Sequence, residues 1–247
     1  MRTIFFLTLF TLASCKPNTP VLNAQQIVDK AIVAFGADKI ATSKISFTFR
    51  KRTYIATRDN GAYSLERITK RDSVEIRDVL SNKGFVRYKN SELVQVPDSM
   101  VTRYSNSVNS VHYFSVLPFG LNDKAVFKKQ LSDVTIKGIS YYTIQVTFSE
   151  DGGGDDFDDV FLYWIKKDNF QLDYLAYKYN TGKGGMRFRD VKNESVVNGI
   201  RFVNYNNYKP TDPKMDFLSI SNAYQDGQLK KISEIILENI EVALIDF

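Results

Sequence analysis

Residues 148–210 decide the fold, and they read FSEDGGGDDFDDVFLYWIKKDNFQLDYLAYKYNTGKGGMRFRDVKNESVVNGIRFVNYNNYKP. Aromatic and β-branched runs at 160–166 and 170–179 are strand-length, and the break between them is short enough for a hairpin. Residues 187–193 and 200–209 form a second pair of runs around Asn-Gly, a dipeptide typical of a type I′ turn. The stretch therefore predicts four neighbouring antiparallel strands.

Two glycine-rich loops flank the first predicted hairpin, at residues 150–159 and 180–186. Because a hairpin folds the chain back on itself, we expect both loops at the same end of the sheet. The first loop carries a group of carboxylates, Asp151, Asp155, Asp156, Asp158 and Asp159. The second loop and the strand after it carry three cations, Lys183, Arg187 and Arg189.

Mutual repulsion of the loop carboxylates requires a compensating charge. Pairing with the three cations is the preferred interpretation, because those cations are already supplied by the neighbouring loop and strand. A calcium ion held by the aspartates is the alternative, although their spacing differs from that of an EF-hand loop. We expect no other cofactor.

The first 14 residues predict a bacterial lipoprotein signal peptide. The apolar run at residues 4–13 is too short for a hydrocarbon core that needs roughly 20 residues, so it predicts the h-region of a secretory signal. Leu12-Ala13-Ser14-Cys15 matches the lipobox, in which the cysteine is diacylated and becomes the mature N-terminus. The alternative is an ordinary signal with an incidental cysteine. Acyl chains on Cys15, at about 0.8 kcal/mol per buried methylene, would anchor the protein to a membrane.

Residues 15–22 predict a lipidated tether, since the segment after Cys15 is polar and rich in proline. Lys16 rather than an aspartate follows the cysteine. By its resemblance to known sorting signals, this residue predicts an outer membrane location on the periplasmic face. Because Cys15 is the only cysteine, the mature fold has no disulfide.

Residues 23–247 predict one domain of mixed helix and sheet. Asn23, with Gln26 three residues later, predicts a helix with a capping box, and Gly36 predicts its end. We expect its apolar face to comprise Ile27, Ala31, Ala34 and Phe35. From residue 45 the apolar period changes to two, which predicts locally paired antiparallel strands.

Three further elements are predicted along this domain. A second helix begins at residue 98 or 99 and ends before Pro118. Asp212-Pro213 predicts the start of a third helix, and Gly227 predicts its end. Residues 232–245 fit helix and strand equally by period, but their β-branched content favours a closing strand.

Five motifs in order resemble a family of periplasm-facing lipoproteins without established function. They are Gly152-Gly153-Gly154 before the aspartates, Tyr163-Trp164-Ile165, residues 173–177 (DYLAY), residues 184–189 (GGMRFR) and residues 198–208. Such proteins are similar to lipoprotein-carrier half-barrels of the Lol type. The resemblance implies an α+β fold in which a single curved antiparallel sheet has helices covering its concave face, with an apolar cavity between them.

Aromatic residues make up 13% of the chain, and residues 160–165 are apolar on both faces of their strand. Both faces are therefore expected to be covered. Helices over an aromatic core explain this pattern as well as an apolar ligand pocket does. The candidate ligand-binding residues are Tyr104, Val108, His112, Trp164 and Tyr177. His112, the only histidine, has an alternative interpretation as a hydrogen-bonded core residue.

The leading functional hypothesis is a lipid-anchored periplasmic protein that binds a lipid, an acyl chain or another apolar molecule. A cation-dependent envelope enzyme that uses residues 150–159 and His112 is one alternative, and a purely structural envelope protein is another. Residues 182–185 are not a Walker loop, and no Gly-x-Ser-x-Gly elbow is present, so we do not favour an enzyme. The net charge is +5, but the cations are spread along the strands, so we expect no nucleic-acid partner. We also expect a monomer.

Overall fold

The computed structural model describes residues 21–154 and 156–245, and two antiparallel sheets make up most of this part of the chain. The first sheet has the order β15-β1-β2-β3-β4-β5-β6. Its strands are β1 (Thr42–Phe49), β2 (Arg52–Asp59), β3 (Ala62–Arg71), β4 (Val74–Ser81), β5 (Gly84–Lys89), β6 (Glu92–Val94) and β15 (Glu238–Leu244). Successive strands pair locally, as the alternating pattern predicted.

The second sheet contains the stretch that decides the fold, in the order β14-β13-β12-β11-β10-β9-β7, with β8 also paired to β9. Its strands are β7 (Val126–Gln130), β8 (Val134–Ile136), β9 (Ile139–Phe148), β10 (Val160–Lys166), β11 (Leu172–Tyr179), β12 (Gly185–Val197), β13 (Ile200–Pro210) and β14 (Leu229–Ile235). The four predicted strands are confirmed. The α+β class is confirmed too, but the prediction of a single sheet is wrong.

The C-terminal segment supplies one edge strand to each sheet. The single strand predicted at 232–245 is two strands, of which β14 pairs with β13 and β15 pairs with β1. Side-chain amides satisfy backbone groups near the change of partner. Leu237 donates its backbone N–H to Asn204 Oδ1 at 2.7 Å, and Asn198 Nδ2 donates to the carbonyl of Val242 at 2.7 Å.

Helix α1 (Ala24–Phe35) has the predicted ends. The Gln26 backbone N–H donates to Asn23 Oδ1 at 2.9 Å, and the Asn23 N–H donates to Gln26 Oε1 at 3.0 Å. Gly36 ends the helix with φ +75°, and a Cβ there would lie 2.0 Å from the carbonyl oxygen of Gly199. Only glycine fits this junction. The buried face includes Val28 in place of the predicted Ala34, which is exposed.

The remaining helices are α2 (Asp98–Ser115), α3 (Ile220–Gln225) and short 3-10 helices at Ala37–Ala41 and Phe217–Ser219. The third helix was predicted to start at Asp212. Instead, the Asp212 carboxylate accepts from the Lys214 N–H at 2.8 Å and closes a turn, while Asp216 accepts from the Leu218 N–H at 3.3 Å. None of the described helices combines the length and apolarity that a membrane span requires.

Both faces of the second sheet are covered, as predicted from residues 160–165. On one face, Phe161, Tyr163 and Ile165 share a core cluster with residues of α1. On the opposite face, Leu162 and Trp164 share a cluster with Phe217 and Ile220. Strand alternation assigns neighbouring residues of β10 to these two cores.

Candidate functional site

The C-terminal half of α2 contacts both sheets. On one side, Val108 packs in a cluster with Ala56 and Leu65 of the first sheet. On the other side, the Phe114 ring centroid lies 6.1 Å from that of Phe161 and 5.2 Å from that of Tyr177, both in the second sheet. This half of the helix therefore packs against both sheets and covers aromatic residues of the second sheet.

His112 is a hydrogen-bonded core residue. Its Nε2–H donates to the Glu66 carbonyl at 3.0 Å, and its ring lies 5.9 Å from Phe47 and 5.5 Å from Tyr54. Burial, with a smaller effect of Arg58, lowers its pKa from 6.5 to about 4. His112 is therefore neutral at pH 7, and its bare Nδ1 is buried without a hydrogen-bond partner.

A largely buried ion cluster holds the middle of α2 on the first sheet. The Asp78 carboxylate accepts from Arg67 Nη2 at 2.6 Å and from Arg87 Nε at 2.6 Å. Arg67 also donates to Ser107 Oγ at 2.5 Å, and the Arg87 guanidinium lies 3.8 Å from the Tyr104 ring centroid. The predicted ligand-binding residue Tyr104 thus covers an ion pair.

Arg189 is the unusual residue on the covered face of the second sheet. It is 7% exposed, and its guanidinium lies 4.0 Å from the Phe114 ring centroid and 5.3 Å from that of Tyr177. Nη2 donates to Tyr177 Oη at 3.1 Å, whereas Nε is buried without a partner. Among the described residues no carboxylate forms an ion pair with Arg189.

The surroundings of Arg189 add further polar atoms. Asn207 stands directly opposite Arg189 on β13, and its Oδ1 is also buried without a partner. Tyr113 Oη and Tyr163 Oη lie 3.2 Å apart. Burial raises the pKa of Tyr113 to about 12 and that of Tyr163 well above its ordinary value. The site thus offers a cation, neutral phenols and aromatic rings, which suits binding better than proton transfer.

The five predicted ligand-binding residues do not converge. Tyr104, Val108 and His112 face the first sheet, and Tyr177 contacts Phe114 on the second. Trp164 lies on the opposite face of the second sheet, with its ring centroid 5.5 Å from that of Phe188, because strand neighbours alternate. In the described part of the chain, the His112 ring packs directly against the rings of Phe47 and Tyr54.

Two surface cavities lie elsewhere. One, of about 310 Å³, is polar and lies beside ion-paired Lys166, Asp173, Glu194 and Arg201. The other, of about 560 Å³, lies at the loop end of the second sheet. Neither is lined by residues of α2.

The two glycine-rich loops meet, as predicted. Asn180 Nδ2 donates to Asp158 Oδ2 at 2.8 Å, and Thr181 Oγ1 donates to Asp156 Oδ1 at 2.7 Å. Asp159 is buried, and burial followed by its acidic neighbours raises its pKa to about 6.

The expected cations do not neutralise this loop within the described residues. No ion pair joins the loop to Lys183, Arg187 or Arg189, and the guanidinium of Arg187 instead lies 5.3 Å from the Tyr179 ring centroid. The described residues also contain no group of three or more His, Cys, Asp or Glu arranged to hold a metal ion. Asp155 and Cys15, with their predicted roles, lie outside the described ranges.

Residues 2–239 match the model of a family of unknown function, DUF6503. The chain belongs to this family. No curated protein matches the sequence of this DUF6503 member.

Two solved structures resemble the DUF6503 chain. A LolA superfamily protein from Nitrosomonas europaea has a TM-score of 0.52 at 12% identity, covering 92% of this chain and 96% of its own. A DUF1329 family protein from Desulfovibrio piger has a TM-score of 0.41 at 9% identity, covering 90% and 91%. The first shows that this DUF6503 member has a LolA-like fold.

Within the described residues Arg189 lies beside Phe114, which was not among the predicted ligand-binding residues, and not in an ion pair with the acidic loop. The sequence signal for Phe114 is the adjacent aromatic pair Tyr113-Phe114 at the end of α2. Such a pair requires an apolar surface, and the aromatic strand residues Phe161 and Tyr177 supply it.

Proposed function

We propose that the protein binds an amphipathic molecule, with an acyl chain and an anionic head, between α2 and the second sheet. Arg189 carries this proposal. A guanidinium among aromatic rings without a carboxylate is costly to bury. A carboxylate or phosphate head would provide its partner, and Phe114, Phe161 and Tyr177 would contact the chain next to it.

Binding requires the C-terminal half of α2 to move, because side chains fill the space that it covers. The three buried residues of this helix, Val108, His112 and Ser115, all lie in this half, so the movement has to separate Val108 and His112 from the first sheet. The exposed aromatic surface would then be covered by the acyl chain, which gains about 25 cal/mol for each Å² of apolar surface removed from water. In this proposal the two sheets act together as a half-barrel around the ligand.

The experiment compares two ligands that differ only in the head. A long-chain fatty acid and the matching fatty alcohol are titrated into the wild type, Arg189→Met and Arg50→Met. Arg50 is the matched control, because its guanidinium lies 5.0 Å from the Phe49 ring but the residue is exposed.

We expect Arg189→Met to weaken fatty-acid binding about tenfold or more, since a hydrogen bond to a charged group contributes about 1.5–3 kcal/mol. Alcohol binding should change less than about twofold, and Arg50→Met should change neither. Equal weakening of acid and alcohol would show that Arg189 only supports the fold. If neither ligand binds, and mass spectrometry of the purified protein finds no lipid, the binding function is wrong.

The same proposal places the protein as a monomer on the periplasmic face of an outer membrane, anchored through acylated Cys15. The lipobox at residues 12–15 supports the anchor, and Lys16 after it supports the outer membrane location. Cys15→Ala should leave an unprocessed or soluble protein, because the lipid anchor is lost. A Cys15→Ala protein that still fractionates with outer membrane, and into the detergent phase, would contradict the anchor.

A further inference from the structure

The cavity of about 560 Å³ at the loop end of the second sheet is basic. Its lining includes Arg187, Lys209 and Lys230, and among the described residues it contains no carboxylate. Within the described ranges, none of these three cations forms an ion pair. The cleft is therefore a concentration of positive charge without a compensating acid in its walls.

Strand register brings the three cations into one row. Lys209 of β13 stands directly opposite Lys230 of β14. Phe188 stands opposite Tyr208, so the same antiparallel register continued by one residue puts Arg187 opposite Lys209. Directly opposed like charges destabilise a sheet, and an anion bound between them would reverse that effect.

Gly185 keeps the space beside Arg187 open. A Cβ at this position would lie 3.0 Å from Tyr179 Oη and 3.5 Å from Arg187 Nη1, and the backbone has φ +152°. A side chain here would therefore occupy the space where the guanidinium and the phenol face the cleft. Guanidinium, ammonium and hydroxyl donors around one space are the groups that bind phosphate oxygens.

We propose that this cleft binds a phosphate group, either free or as the head of a phospholipid. Arg187 would bind two phosphate oxygens, the two lysines would balance the double negative charge, and Tyr179 would donate a further hydrogen bond. The cleft is lined by different residues from the surroundings of Arg189, so this site does not depend on the acyl-chain proposal.

The experiment uses the full chain purified in a non-ionic detergent. Inorganic phosphate and a soluble short-chain phosphatidic acid are titrated separately by calorimetry into the wild type, Lys209→Gln/Lys230→Gln, and the control Lys44→Gln/Lys89→Gln. The control removes two exposed lysines from strands of the first sheet, so its net charge matches that of the test variant.

We expect the wild type and the control to bind, and the cleft variant to bind about tenfold or more weakly. Binding of inorganic phosphate assigns the site to free phosphate, and binding of the lipid alone assigns it to a head group. If neither compound binds the wild type, or if the control weakens binding as much as the cleft variant, the proposal is overturned.

A second variant separates binding from folding. Lys230→Glu converts the repulsion across from Lys209 into attraction, so we expect a higher melting temperature in phosphate-free buffer together with loss of phosphate binding. A Lys230→Glu protein that melts lower, or that still binds phosphate like the wild type, would contradict the site.

Discussion

Changing His112 to Gln should make the stability of the protein less sensitive to acid. His112 is neutral and buried, and its pKa is lowered from 6.5 to about 4. Between about pH 4 and 6.5, His112 is therefore neutral in the folded state but protonated in the unfolded state. The resulting stability is fully present above pH 6.5 and is lost as the pH falls toward 4.

The size of this change in the free energy of unfolding follows from the difference between the two pKa values of His112. At 1.36 kcal/mol for each pKa unit, the lowered pKa makes the folded protein about 3 kcal/mol more stable at pH 7.5 than it would be with His112 protonated. By pH 4.5 roughly 2–3 kcal/mol of this is lost, because the unfolded chain is then protonated at this residue. Gln is the suitable replacement, since its Nε2 can still donate to the Glu66 carbonyl that accepts from His112.

Urea unfolding at pH 7.5 and 4.5 measures this loss, with the fluorescence of the single tryptophan, buried Trp164, as the probe. Asp159 acts in the opposite direction. Its pKa is raised to about 6, so its contribution is present below pH 3.8 and is lost as the pH rises through 6. Asp159 is common to both proteins, so subtracting the variant from the wild type removes its effect. If both proteins lose the same free energy between the two pH values, the burial of a neutral His112 is refuted.

Three further predictions concern stability. Asp78→Asn should lower the free energy of unfolding by about 3–5 kcal/mol in urea, because buried Arg67 and partly buried Arg87 lose their counter-ion; a loss below about 1 kcal/mol would show that solvent compensates them. Gly36→Ala should lower it by more than about 2 kcal/mol, since the new Cβ meets the Gly199 carbonyl at 2.0 Å, whereas Gly61→Ala, with the same sign of φ and open space around it, should cost less. Calcium at a hundredfold excess over its Kd would stabilise by about 2.7 kcal/mol, so a melting temperature that does not change with millimolar calcium or with chelator would exclude a cation at the acidic loop.

Local chemistry explains what could be predicted from the sequence. The capping box at Asn23 and the glycine end at Gly36 depend on residues within one or two turns of a helix, so their identities suffice. Residues 160–165 lack polar alternation, and that alone predicts a strand buried on both faces. The meeting of the two glycine-rich loops follows from the hairpin between them.

Long-range pairing explains what could not be predicted. Residues 232–245 have a strand-like composition throughout, but which neighbour each half pairs with depends on strands β1 and β13, which are distant in sequence. For this reason the sequence predicted one closing strand where the structure has two, each in a different sheet. Composition specifies that a segment is extended, whereas the partner of a strand is set by the whole arrangement of elements.

In the candidate site, too, local features were predictable from the sequence, whereas long-range side-chain contacts were not. From the sequence, the hairpin is expected to bring the strand that carries Arg189 to the end of the sheet where the aspartates lie, and this predicts pairing with them. In the folded protein it stands on the covered face of β12, under Phe114 of α2, with Tyr177 as its hydrogen-bond partner. The sequence by itself determined which charges and aromatic residues are present and which segments are strands or helices. Only the tertiary structure decided that this cation faces aromatic rings instead of carboxylates, because the packing of α2 against the second sheet is a contact between elements far apart in the chain.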